Sequence, residues 1–137
     1  MLHIGVAGAR GLAPGTLVIG AEALYCDLTA AIALVDRTSA DARLLAAAQA
    51  VLPAASTLPI GTSAAVGSVG LDVAVEAMEG FGVLRAASLA NVPAIEIRAV
   101  SNELGEQDRS RWQIAEAIGE LSAVTPALLD AIAAAVR

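Results

Sequence analysis

The 137-residue chain contains no lysine, and its eight basic residues, all arginine, stand against 14 acidic ones for a net charge of −6. Arginines scattered along an acidic chain do not form the basic patch that nucleic-acid binding requires, so no nucleic-acid partner is expected. The one cysteine, Cys26, cannot close an internal disulfide, which makes a reducing cytoplasm the natural setting. No His/Cys/Asp cluster has metal-ligand spacing, and neither a P-loop nor a Gly-x-Ser-x-Gly string is present, so neither metal nor cofactor is expected. The N-terminus lacks the positively charged stretch and apolar run of a secretory signal. The longest uncharged stretch, Leu44–Leu71, is interrupted by Pro53, Pro59, Gly61, Gly67 and Gly70. A spanning helix needs about 20 unbroken apolar residues, so no membrane partner is expected either.

What the chain has is apolar surface: 57% of its residues are hydrophobic and 33 are alanine. That excludes a disordered protein, and the length predicts a single domain over residues 1–137. Short Val/Ile-rich runs alternate with Ala-rich stretches. His3–Ala7, Leu17–Ala23, Thr57–Thr62, Asp72–Glu76 and Pro93–Ser101 read as strands. Ser39–Leu52 reads as a helix capped by Ser39, and Glu79–Leu89 as a second. Ser110–Leu121 carries Ile114, Ala117, Ile118 and Leu121 on one stripe, with Asp108 or Ser110 as cap, and Thr125–Pro126 opens a last helix. The alternation predicts an α/β layer fold around a mostly parallel or mixed sheet, with ligands outside the carboxyl ends of its strands.

Two segments stand at such ends. Glu76-Ala77-Met78-Glu79-Gly80-Phe81-Gly82 packs two carboxylates, a thioether and two glycines where a strand turns into a helix. Gly80 and Gly82 each weaken a helix by about 1 kcal/mol relative to Ala, and close approach of a ligand or a backbone is one reason to keep them. The plainer reading puts Met78 in the core and Glu79 at a favourable helix N-terminus. Arg98–Arg111 ends an apolar strand in a polar loop, where Asn102 can serve local backbone bonds and Arg109 and Arg111 can pair with Glu106 and Asp108. His3, lone and N-terminal, reads as a bystander to catalysis, Cys26 as a small buried hydrophobe, Trp112 on a first helical turn as packing, and Tyr25 as bordering a subunit interface.

Taken together, the Met78-Glu79-Gly80-Phe81-Gly82 string, Val92–Asn102 and the following Asp108-Arg109-Ser110-Arg111-Trp112 resemble the nucleoside phosphorylase/nucleosidase superfamily. Within it the likeness is to the futalosine hydrolase branch of menaquinone biosynthesis. Gly5-Val6-Ala7-Gly8 and Leu12–Gly20 resemble the glycine-rich segment of the same enzymes. The resemblance implies the phosphorylase/hydrolase-like three-layer α/β/α fold with a mixed sheet, of which this chain holds the C-terminal two-thirds, the first strands being absent. It implies a purine nucleosidase that hydrolyses the N-glycosidic bond of futalosine and releases hypoxanthine. Met78 would pack beneath the ribose, Glu79 would accept its 2′ and 3′ hydroxyls, and Asn102 would face purine N7. Val6, Ala7 and Gly8 would border sugar and base.

Asn102, with an NH₂ to donate and no proton to transfer, favours a 6-oxopurine leaving group over adenine. Arg10 and Arg98 are candidates for the substrate's benzoate by position. The acidic residue that activates water in the family has no counterpart among these carboxylates; Glu22 and Asp27 read as structural or interface residues. Two other readings stay open: a catalytically inactive nucleoside-binding or structural homologue, and a methylthioadenosine/adenosylhomocysteine nucleosidase. A sheet without its first strands leaves open edges, so a homodimer burying more than roughly 2,000 Å² is expected.

Overall fold

Ile95-Glu96-Ile97-Arg98-Ala99 alternates apolar and charged residues inside a strand whose side chains are almost all buried. With a side-chain period of two, such a strand sends its apolar set to one face and its charges to the other. This strand organises the rest of the fold. In the computed structural model, which describes residues 1–27, 34–66 and 73–137, the order is β1 (Leu2–Ala9), β2 (Leu17–Tyr25), β3 (Arg37–Ser39), α1 (Ala42–Val51), β4 (Ser56–Thr62), β5 (Val75–Ala77), α2 (Gly80–Leu89), β6 (Ile95–Glu103) and α3 (Ile114–Ala135). A 3₁₀ turn, Arg109–Arg111, precedes α3.

The sheet runs β3-β2-β4-β5-β1-β6, and β2 pairs with β6 as well, so that five strands curl into a ring with β3 outside it. It is mixed: β1 with β6, β2 with β4 and β4 with β5 are parallel, and the other pairs antiparallel. Helices lie on both faces. Ile95, Ile97 and Ala99 meet Leu44 and Ala48 of α1 and Ala117, Leu121, Leu128 and Ile132 of α3. Ala23 and Ala94 meet Leu84 and Ala87 of α2. Between them Ala7, Ala9, Val18, Ile60, Val75, Ala77 and Val100 fill the inside of the curl. The fold is therefore the mixed-sheet α/β arrangement expected. Apart from β6, β1 has a strand partner only at Gly8 and Ala9, so among the described residues the far side of Leu2–Ala7 is an open edge.

Several local expectations need correction. Ser39 does not cap α1, because it is drawn into β3 opposite Glu22; Asp41 caps instead, its Oδ1 accepting from the amides of Arg43 and Leu44. The Arg43 hydrogen bond, chiefly, holds the Asp41 carboxyl below the usual range. Thr125–Pro126 does not open a helix: α3 runs through Pro126. The Thr125 hydroxyl instead donates back to Leu121 O at 2.6 Å, and that of Ser122 to Ile118 O at 2.8 Å. Run together, α3 is long and apolar enough to cross a membrane by length and composition, unlike the interrupted Leu44–Leu71 stretch. Neither Asp108 nor Ser110 caps α3; Asp108 accepts from Ser110 N in the 3₁₀ turn. The strand expected over Asp72–Glu76 is Val75–Ala77, and Asp72 lies outside the described residues.

Candidate active site

A cavity of about 110 Å³ opens at the carboxyl ends of β5 and β6. Val6, Ala7, Gly8, Met78, Glu79 and Asn102, the residues singled out in the sequence, all line it. Val66, Glu76, Ala77, Ser101, Leu104, Gly105 and Trp112 complete the wall.

Strand register brings these residues together. Parallel pairing sets His3 against Glu96, Gly5 against Arg98 and Ala7 against Val100, then slips so that Gly8 faces Asn102. Ser101 is the extra residue, and a bulge of this kind re-aims side chains at a sheet's rim. Its hydroxyl donates to Asn102 Oδ1 at 2.7 Å, and Asn102 Nδ2 donates to Glu103 O at 2.9 Å. The amide is thus fixed in orientation, with only 6% of the residue exposed. A carboxamide nitrogen carries two protons, so one remains for a ligand in the cavity.

Glu79 sits just before α2, with its side chain 56% exposed. It is held from behind by Arg98, which is only 3% exposed and whose Nη2 donates to Glu79 Oε2 at 2.9 Å. Arg98 Nε donates to Glu96 Oε1 at 2.6 Å, and Nη1 to Val6 O at 3.2 Å. Nη2 also meets His3 Nε2 at 2.7 Å. Two glycines make room for this cluster. A Cβ on Gly5 would come within 2.2 Å of Arg98 Nη1, and one on Gly80 within 2.2 Å of Glu96 Oε2. The group close to Gly80 is thus the side-chain carboxylate of Glu96, neither the ligand nor the backbone that the sequence suggested. Around Gly82 nothing among the described residues lies within 4 Å of the Cβ position.

Burial pushes the Glu96 carboxyl above the usual carboxylate range, against the pull of Arg98. Glu96 is fully buried, and among the described residues its Oε2 has no hydrogen-bond partner. Burial first, and then the Arg98 cation, push His3 below its ordinary value; the Glu79 charge opposes them.

Other expectations change at the site. Arg98 is not available for a substrate carboxylate, since its guanidinium is already shared among Glu96, Glu79, His3 and Val6 O. His3, read as a bystander, contacts that guanidinium. Trp112 is not on a first helical turn: it closes the 3₁₀ turn and lines the cavity. Its Nε1 donates to Glu106 O at 3.0 Å, and Arg109 lies 5.6 Å from its ring centroid. Arg111 pairs with Glu106 and Asp108 as expected. Glu76 is a second carboxylate on the wall, and Ser63 Oγ donates to it. Away from the cavity Glu22 pairs with Arg37, Asp27 accepts from Ala64 N, Cys26 is buried, and Tyr25 stacks on Phe81. No group of three or more His, Cys, Asp or Glu that could hold a metal occurs among the described residues.

Comparison with known proteins gives no matching family model. Futalosine hydrolase of Streptomyces coelicolor is 55% identical over 47 residues, 34% of this chain and 20% of that protein. The futalosine hydrolase of Acidothermus cellulolyticus is 47% identical over 53 residues, 39% of this chain and 22% of that one. The matched segments thus span about a fifth of each relative's length. In fold the likeness covers nearly the whole chain. The methylthioadenosine/adenosylhomocysteine nucleosidase of Colwellia psychrerythraea, solved with adenine, superposes with a TM-score of 0.85 at 19% identity, over 96% of this chain and 66% of that one. Futalosine hydrolase of Helicobacter pylori gives 0.85 at 15% identity, over 94% and 66%. The solved structures thus share the fold of nearly the whole chain, and segments of 47 and 53 residues resemble futalosine hydrolases in sequence.

Proposed function

We propose that the chain carries the ribose- and base-binding side of a purine nucleosidase, with futalosine as substrate and hypoxanthine as leaving group. The observation that carries this reading is the convergence of Glu79 and Asn102, 23 positions apart in sequence, on one cavity floored by Val6, Ala7 and Gly8. Met78 beside Glu79 offers a thioether surface to the sugar. Glu79 accepts hydrogen bonds from the ribose hydroxyls, and its negative charge favours the cationic sugar of the transition state. Asn102 donates to the N7/O6 edge of the purine, where negative charge develops as the bond breaks. Donors fixed in advance at such a position stabilise the transition state without reorganising.

In the reaction a water oxygen bonds to C1′ as the C1′–N9 bond breaks. The electron pair goes to the purine, which takes up a proton, and the attacking water gives one up. A cavity of about 110 Å³ is smaller than the roughly 300–1,000 Å³ of most ligand sites. The described residues therefore supply part of a nucleoside's enclosure. Among the cavity carboxylates, Glu79 is turned to Arg98 and Glu76 to Ser63, so water activation is assigned to neither.

The test is to incubate the protein separately with futalosine, inosine and methylthioadenosine and follow free base by chromatography. Hypoxanthine release from futalosine that disappears in Glu79→Ala is the expected result. Binding without turnover would support the inactive-homologue reading, and adenine released faster than hypoxanthine would overturn the assignment of Asn102.

A further inference from the structure

The carboxylate assigned to the sugar ends a series of contacts that begins at the chain's single histidine. Arg98 Nη2 stands 2.7 Å from His3 Nε2 and 2.9 Å from Glu79 Oε2. A guanidinium only donates. At that separation the imidazole nitrogen is the acceptor, so Nε2 is bare, the proton is on Nδ1 and the ring is neutral. The remaining guanidinium contacts, to Glu96 Oε1 and Val6 O, fix its plane. His3 and Glu79 therefore share one nitrogen of Arg98, and its direction depends on both.

Resting on the nucleoside reading of the cavity, we propose that His3 is a positioning residue: its uncharged ring aims Arg98 at Glu79, and a proton on Nε2 releases that aim and loosens the grip on ribose. Protonation would set N–H against N–H at 2.7 Å and bring two cations together. The groups that face His3 are Arg98 and Glu96 of β6, the latter 3.9 Å away, and Glu79 before α2. The helix α3 packs on the other face of β1, where Leu2 and Val6 join its core. A protonated ring would turn toward Glu96 or Glu79 and compete with Arg98 for both. Burial and Arg98 hold His3 below its ordinary value of 6.5, so the transition falls on the acid side of that pH.

The test compares wild type, His3→Gln and His3→Leu, with futalosine as probe, from pH 5 to 8. Losing one hydrogen bond to a charged group corresponds to roughly a tenfold weaker grip. The KM of wild type is expected to rise about tenfold toward pH 5, more than kcat falls. His3→Gln, which keeps an acceptor that does not titrate, should hold a low KM throughout, and His3→Leu a raised KM at every pH. Three identical KM–pH profiles would overturn the proposal. A second arm needs no turnover: ¹⁵N NMR of the lone imidazole at pH 7.5 should show the Nδ1–H tautomer, and an Nε2–H tautomer or a doubly protonated ring would overturn it. Absence of hypoxanthine release by wild type would count against the nucleosidase reading, leaving the NMR result to decide the role of His3.

Discussion

The Glu79 end of the cavity rests on buried charge: a carboxylate presented by Arg98, itself braced by fully buried Glu96 and by His3. The Asn102 end rests on a strand bulge and neutral hydrogen bonds from Ser101 and to Glu103 O. Chemically the two ends serve unlike needs, positive charge on a sugar and negative charge on a base. Physically they differ in what they depend on. Buried charges are stable only as a set, whereas neutral amide contacts can be exchanged with little disturbance to the fold. The Glu79 end should therefore be coupled to folding and pH, and the Asn102 end mainly to substrate choice.

The strongest way to break this contrast is at Arg98. Arg98→Met leaves Glu96 buried without its counter-charge and should lower stability by about 3–5 kcal/mol. Urea denaturation checks it, and adding Glu96→Leu should restore most of the loss, because the unpaired charge is then gone. Glu79→Gln is expected to act on function, with kcat/KM down about 10²–10³-fold from weakened charged hydrogen bonds. Its urea midpoint should stay near wild type, since the carboxylate is half-exposed and Arg98 keeps Glu96.

The paired glycines at the start of α2 sharpen the contrast further. Gly80→Ala forces a methyl into the space of Glu96 Oε2 and should destabilise by about 1–3 kcal/mol. Gly82→Ala meets nothing among the described residues and should stabilise by up to about 1 kcal/mol through helix propensity. Differential scanning calorimetry of the two variants reads opposite signs. The smallest effect is expected from His3 on stability. Its folded pKa lies below the unfolded value, so the unfolded chain binds more protons as pH falls from about 6.5. The contribution is present at neutral pH and is lost as pH falls through that window. Comparing wild type with His3→Gln by urea titration at pH 7.5 and pH 5.5 isolates it.

How much of this could be read in the sequence follows the range of the interactions. The strands at Leu17, Ser56 and Ile95 and the helix after Glu79 announce themselves by local alternation and punctuation. The cavity residues are legible through motif resemblance at three separated segments, and one cavity holds them all. The cluster behind Glu79 was not legible, because it depends on the parallel register that sets His3 beside Glu96 and Gly5 beside Arg98 across more than 90 positions. Glu96 and Arg98 look like a solvated strand face until that register buries them. Local errors had local causes: Asp41 outcompeted Ser39 once Ser39 joined β3, and the hydroxyls of Ser122 and Thr125 bond back within a helix that Pro126 does not end.

One structure determination bears most directly on the central claim: crystals of the protein with inosine bound. The expected density places the ribose hydroxyls within hydrogen-bond distance of the Glu79 carboxylate and the purine N7/O6 edge on Asn102 Nδ2, with Arg98 still against Glu79. A nucleoside bound elsewhere, or seated in the cavity with neither contact made, would contradict the account.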